Sequence, residues 1–446
     1  MARVLINISK YVLIFLMLLF TCFSFAANGG RPHRRNGKYI MQNILTMTIF
    51  TICMVIILYY KWSIESFVFF ILEFVYLIVL VAMYRLIYPD CSVVIVNNMA
   101  MLLAMGFIMV ERLAPSSALK QFLIVLVGTG LSFVVPRFMR KRKLLIGLKY
   151  PFVIVGILML LLTLVLGKTS FGANISFTIA GFSFQPSEFV KLIYVLFVAA
   201  MLSKARNFKN ILISAVFAAI HVLILVASTD LGAALIFFVV YIVMLYVGSG
   251  KIRYLIAGLS AGSLAAVLAY RMFAHVRTRV LAWRNPWSIM ETGGYQITQS
   301  LFAIGTGGLF GMGLYQGLPN KIPVAVKDFV FAAISEEFGL IFAICIILVC
   351  FSSFISVMSI ASKCADLFYK LVAVGFGTLY IFQCFLTIGG VTKFIPSTGV
   401  TLPFVSYGGS SILCSLLMFA MIQAVFILVK ENEEDEEYKE KELSES

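Results

Sequence analysis

At 446 residues, 61% hydrophobic and only 12% charged, the chain carries about half the charge of an ordinary soluble domain. Apolar runs of 17 or more residues recur from end to end; they need lipid as solvent, where only helices or closed barrels satisfy the backbone, and they are too long and continuous for barrel strands. The net charge of +15 conceals a tail, residues 431–446, with nine acids and two lysines, which leaves +22 on everything before it. In a membrane chain such an excess belongs to cytoplasmic loops and excludes nucleic acid as the default partner.

The predicted elements are thirteen apolar spans: 11–27, 41–60, 67–87, 94–110, 121–135, 145–166, 189–202, 211–228, 231–247, 254–272, 329–351, 371–389 and 411–429. Basic clusters fall at Arg137, Arg140, Lys141, Arg142 and Lys143, then Lys204, Arg206 and Lys209, then Lys251 and Arg253, then Lys363 and Lys370. Each lies two spans from the last, so all share one side, the cytoplasm. Alternation then sends segments 168–188, 273–328 and 390–409 outside. The cluster of Arg31, Arg34, Arg35 and Lys38 is cytoplasmic too, leaving the N-terminus outside. A leader-like pattern, Arg3 and Lys10 before an apolar run ending Ser24-Phe25-Ala26, competes with this. Cleavage there would break the register of every later loop, so a retained first segment is favoured, either crossing or lying partly in the interface. The eight cysteines are scattered in apolar runs without CxxC pairs and read as small core residues. The tail reads as a disordered, solvated run. No strand is convincing, and no Gly-rich loop after a strand points to a nucleotide cofactor.

Eleven carboxylates lie outside the tail: Glu65, Glu73, Asp90, Glu111, Glu188, Asp230, Glu291, Asp328, Glu336, Glu337 and Asp366. Ionisable groups at membrane depth are costly and mark function. Glu188 and Lys191 share a helix face at the start of a span in FQPSEFVKL; they either orient that helix as an ion pair or take part in binding or gating. Asp230, in STDLGAA, heads a span, where it either caps the helix or serves a site. The loop 273–328 puts Arg271, His275, Arg277, Arg279 and Arg284 outside, beside Trp283 and Trp287. A guanidinium fork matches phosphate oxygens, so these residues suit a lipid diphosphate; anionic headgroups are the plainer partner.

Further on, GGYQITQSLFAIGTGGLFGMG is apolar but interrupted by seven glycines, and reads as a re-entrant or surface-lying segment. Asp328 follows at the outer mouth of a span, with Glu336 and Glu337 about two turns deeper. A rim carboxylate beside Lys327 is disposed to take a proton from a substrate hydroxyl, with helix capping the alternative.

At these residues the chain resembles the SEDS family (shape, elongation, division, sporulation) of FtsW, RodA and SpoVE. The motifs are QPSEFVKL (185–192), DLGAA (230–234), GYQITQSLFAIGTGGLFGMGL (294–314), DFVFAAISEEFG (328–339) and IPSTGVTLPFVSYGGSS (395–411). The resemblance covers about residues 94–429 and implies an all-α ten-helix core over 94–430. Residues 1–93 form about three extra helices before that core, and 431–446 an acidic tail. It implies a glycosyltransferase polymerising lipid II by inverting transfer, with a class B penicillin-binding protein and other divisome or elongasome proteins as partners. Lipid II and the nascent glycan strand would occupy its site. Carried over, Asp328 is the catalytic aspartate. Glu188, Lys191, Asp230, Arg277, Arg279, Gln296, Ser406, Gly408 and Gly409 are its supporting or substrate-binding residues. A divalent cation, Mg²⁺ or Mn²⁺, held partly by the substrate diphosphate, is the only cofactor implied. Departures occur at Lys327, at Ser228-Thr229 before DLG, at Thr387 and in GANISF (172–177). A lipid-precursor flippase and a non-catalytic scaffold are the competing readings.

Overall fold

A computed structural model describes residues 2–29, 35–170, 173–179, 182–203, 208–291 and 293–445. Arg31, Arg34, Gly172, Lys204 and Arg206, singled out above, lie outside the described residues. All thirteen apolar runs are helical. The helices are α1 (Ala2–Gly29), α2 (Arg35–Tyr60), α3 (Ile64–Ile87), α4 (Val93–Leu113), α5 (Ala118–Ser132), α6 (Val135–Met139), α7 (Arg142–Gly147), α8 (Lys149–Leu166) and α9 (Pro186–Leu202). They continue with α10 (Phe208–Ala227), α11 (Leu231–Ser249), α12 (Ile252–Met272), α13 (Ala274–Arg284), α14 (Tyr295–Gly307), α15 (Val330–Phe338), α16 (Leu340–Lys363), α17 (Leu367–Val391) and α18 (Gly409–Glu445). Twelve segments are long and apolar enough to cross a membrane. The 17-residue α9 adds a further apolar rod, almost wholly buried among them.

The bundle is organised around α4, α9, α17 and α18, whose sides are largely covered by other helices. Several polar residues in these helices are hydrogen-bonded across the bundle, as hydrocarbon favours. Asn98 on α4 accepts from Ser24 Oγ of α1 at 2.8 Å and donates to Ser353 Oγ of α16 at 3.1 Å. Asn97 donates to Gln42 Oε1 of α2 at 3.0 Å. These bonds fasten α1 and α2 to the later helices, so the first segment is a full member of the bundle. By contrast α12 buries none of its residues and packs mainly along α11 and α13.

Three expectations change and a fourth is refined. The run 329–351 is not one span: Gly339, at φ +89°, breaks it into the short buried α15 and the crossing helix α16. Three short strands, β1 (Lys168–Ser170), β2 (Ala173–Ile179) and β3 (Phe182–Phe184), pair antiparallel between α8 and α9 where no strand was expected. Short polar segments outside hydrocarbon can pair this way without disturbing an all-α membrane bundle. The acidic tail continues α18 to Glu445 instead of leaving it disordered. Its first turn meets cations: Glu431 pairs with Arg140, and Glu433 with Lys363 at 3.1 Å. Lastly, the glycine-rich segment is re-entrant in a specific sense, since α14 and α15 are two short helices packed together, their ends joined by Leu340 N–H to Gly308 O at 2.9 Å. A Cβ at Gly307 would stand 2.1 Å from Ser335 O, so only glycine allows that approach.

The basic residues Arg140, Arg142, Lys363 and Lys430 gather at one end of the bundle, on Glu431, Asp366, Glu433 and Asp90. The α14–α15 pair lies toward the other.

Candidate active site

At the end remote from those cations, a cavity of about 480 Å³ opens among α13, α14, the segment before α15, the start of α9 and α11, and the loop 392–408. Its lining includes Asp328, Asp230, Arg279, Gln296, Gln185, Tyr295, Thr278 and the Ser397-Thr398-Gly399 stretch. That volume suits a sizeable ligand.

Asp328 precedes α15 on a turn gripped from the SYGGSS loop. Ser406 Oγ donates to Lys327 O at 2.6 Å and accepts from Leu402 N at 2.9 Å, while Tyr407 N donates to Val326 O at 2.8 Å. Thus Ser406 is buried and fixes the backbone that presents Asp328; it does not line the cavity. Gly408 N–H donates to Gln121 Oε1 of α5 at 3.4 Å, and Gly409 opens α18. These three positions hold the loop rather than line the cavity. Two β-branched residues on the cavity wall have positive φ: Val324 at +55°, four residues before Asp328, and Thr229 at +60°, beside Asp230. Such backbone stores about 1–3 kcal/mol each and persists where the surroundings impose it.

The Asp328 carboxylate accepts no hydrogen bond from a described residue, and burial raises its pKa to about 6 against the opposing pull of Lys327 and Arg279. A carboxylate left free in a cavity, with its proton affinity moved toward neutrality, is equipped for proton transfer. Arg279 lies close enough to both Asp230 and Asp328 for the two acids to favour its charge, though burial pulls its pKa down. Its Nη1 donates to Thr398 O at 3.4 Å, and Trp283 Nε1 donates to Lys393 O at 3.1 Å, pinning α13 to the same loop. Arg277 points elsewhere: it is exposed and off the cavity, as are Arg271 and Arg284. Of the five basic residues singled out there, only Arg279 lines the cavity: Arg271 lies in the last turn of α12, and the 11-residue α13, which carries the other four, presents one side.

Asp230 caps α11, accepting from Ala233 N at 3.1 Å and from Ser187 Oγ at 3.2 Å. Capping and cavity lining therefore coincide, and burial is the main cause that lifts its pKa. Below it Lys191 Nζ donates to Glu188 Oε1 at 2.6 Å and to Gln383 Oε1 of α17 at 3.2 Å. Both ionic side chains are buried, 2% and 9% exposed. They border a small void of about 30 Å³ that shares Gln185, Asp230 and Gly399 with the main cavity. The pair thus forms an ionic floor beneath the cavity. Glu336 and Glu337 are not in the cavity. Glu336 accepts from Leu318 N at 2.8 Å, and Glu337 from Tyr315 N at 3.1 Å and from Arg112 at 2.8 Å.

No group of three His, Cys, Asp or Glu side chains gathers among the described residues. Two carboxylates with a guanidinium near both do not make a cage for a resident divalent ion. Lining residues missed by sequence reasoning include Gln185, Tyr295, Thr278, Ser397, Thr398 and Gly399. Five of these, Gln185, Tyr295 and 397–399, lay inside motifs already noted, and only the chain path assigns them to the wall.

The fold and site define a polytopic membrane protein with an acid-bearing cavity at one end of a helical bundle. Residues 91–431 match the FtsW/RodA/SpoVE family model, described as cell cycle protein, and the chain belongs to that family. The peptidoglycan glycosyltransferase RodA of Mycobacterium tuberculosis H37Rv is 33% identical over 367 residues, 76% of this chain and 78% of the relative. The probable peptidoglycan glycosyltransferase FtsW of Bacillus subtilis is 29% identical over 331 residues, 71% of this chain and 82% of the relative. Among solved structures, a chain of a peptidoglycan synthase complex that coordinates polymerization and crosslinking superposes with a TM-score of 0.64 at 27% identity, covering 76% of this chain and 98% of its own length. The rod shape determining protein RodA of Thermus thermophilus does so with a TM-score of 0.58 at 26% identity, covering 76% and 97%.

Proposed function

We propose that this protein is a peptidoglycan glycosyltransferase that polymerises lipid II into glycan strands at the outer face of the bacterial cytoplasmic membrane. The observation that carries the reading is the free Asp328 carboxylate, raised to about 6, in a 480 Å³ cavity beside Arg279. In this reading Asp328 takes the proton from the 4-hydroxyl of the acceptor GlcNAc. The oxygen attacks the anomeric carbon of the donor, the bond from that carbon to the lipid diphosphate breaks, and the configuration inverts. Arg279 meets the negative charge of the departing diphosphate, at a site whose low dielectric strengthens that contact. Asp230 and the Glu188–Lys191 pair keep the cavity floor and the heads of α9 and α11 in register. A Mg²⁺ or Mn²⁺ ion would have to arrive bound largely to diphosphate oxygens, and no step here is routed through one.

The outward orientation rests on charge. The basic loops collect at the end opposite the cavity, as the positive-inside rule requires of cytoplasmic loops. A class B penicillin-binding protein is the proposed partner for crosslinking, with other divisome or elongasome proteins around it. A flippase would be better supported by an open polar path through the bundle than by a buried ion pair beneath the cavity.

The test is polymerisation of labelled lipid II by the purified protein with its penicillin-binding protein, comparing wild type with Asp328→Asn at equal folded amount. Chains from the wild type that drop by about 10²- to 10⁴-fold in the variant are expected. Equal chain formation by both would remove Asp328 from the chemistry.

A further inference from the structure

The helices α1–α3 precede the family-matched segment 91–431, and two of them reach the turn that follows α14. Lys10 Nζ of α1 donates to Gly311 O at 3.0 Å, and the Tyr11 ring lies 5.5 Å from that of Phe310. At the end of α2, Tyr60 stacks on Tyr315 with ring centroids 5.1 Å apart and planes 9° from parallel. Its hydroxyl accepts a hydrogen bond from Gln316 Nε2. The Arg112 guanidinium also stands over the Tyr315 ring, 4.1 Å from its centroid, so both a tyrosine and an arginine pack on that ring.

The turn 308–318 that these residues grip joins two parts of the cavity wall. Before it runs α14, which carries Gln296; after it comes the segment with Asp328. The turn is also fastened to the far end of α15. Met312 N and Gly313 N donate to Glu336 O and Glu337 O, both at 2.9 Å, and the two glutamate side chains accept from Leu318 N and Tyr315 N. Because α15 is a short, wholly buried helix beginning two residues after Asp328, a displacement of its far end moves its near end as a rigid body. At a rim carboxylate, an ångström of misplacement is enough to lose most of the rate.

We propose that α1 and α2 are a built-in positioning element for the active site, with Lys10 and Tyr60 as the positioning residues that hold the 308–318 turn and, through α15, Asp328. The inference rests on the reading of Asp328 as the base. The solved relatives align over 97–98% of their length but 76% of this chain; the element is thus an addition to the shared core.

The experiment uses the full-length protein with its penicillin-binding protein. Turnover of labelled lipid II and amide hydrogen exchange are measured for wild type, Tyr60→Ala, Tyr60→Phe, Lys10→Met and Asp328→Asn. Tyr60→Ala and Lys10→Met are expected to lower kcat by about 10- to 100-fold with KM within about twofold, and to speed exchange over residues 312–318 while α4 and α16 stay protected. Tyr60→Phe, which keeps the stack, is expected to retain most of the activity. Faster exchange at the turn with unchanged kcat would overturn the proposal, as would unchanged exchange or an equal loss in Tyr60→Phe and Tyr60→Ala. Full activity in Asp328→Asn would instead overturn the reading beneath it, recognisably so, because the exchange contrast is measured without turnover.

Discussion

Asp328 must lose its own proton before it can accept one, so the acid limb of turnover reports directly on its carboxyl group. The cavity favours the neutral acid and sets the group at about 6, with Lys327 and then Arg279 pulling the other way. The sign follows: the base form is complete above that value and is lost as pH falls through it. One unit below, about a tenth of the molecules carry the base, and two units below about a hundredth. Initial polymerisation rates are therefore expected to be flat above about pH 7 and to fall about tenfold per unit below about pH 5.5. Lys327 is exposed and outside the cavity lining. Lys327→Met removes the larger opposing cation, so its acid limb moves to higher pH while the plateau is kept. Added salt shrinks the difference between the two curves, since an exposed charge is screened. The assay is initial rate against pH at fixed ionic strength, with folded amount checked at each point by size-exclusion chromatography. A limb that Lys327→Met leaves in place, or moves downward, would refute the reasoning.

Two further outcomes are expected. Arg279→Ala should lower kcat/KM by about 10- to 100-fold, the worth of one charge-assisted contact, whereas Arg277→Ala, exposed and off the cavity, should stay within about twofold; steady-state kinetics on both variants separates them. Glu188→Gln or Lys191→Met alone strands a buried charge at a cost of about 3–5 kcal/mol, and the double variant should recover much of it. Thermal unfolding in detergent measures that recovery, and additive losses would contradict a coupled pair.

The helices themselves, thirteen apolar runs, were legible because hydrocarbon imposes one solution on the backbone. The candidate site was legible in part. Asp328, Asp230, Arg279 and Gln296 meet at one cavity, as the motifs implied. Arg277 does not, because which side of a short helix faces inward depends on what packs on it. Ser406, Gly408 and Gly409 belong to the site only through the backbone they hold, a role invisible without the contacts to Lys327 and Gln121.

What the sequence by itself determined is the membrane class, the basic clusters between spans and the shortlist of ionisable groups, all properties of composition and local spacing. What only the tertiary structure decided is the break at Gly339, the helical tail on its cationic partners, and the grip of α1 and α2 on the turn beneath Asp328. Each depends on groups some 30 to 300 residues apart in the chain, such as Gly308 with Leu340 or Lys10 with Gly311, and no local pattern encodes which distant backbone a side chain will meet.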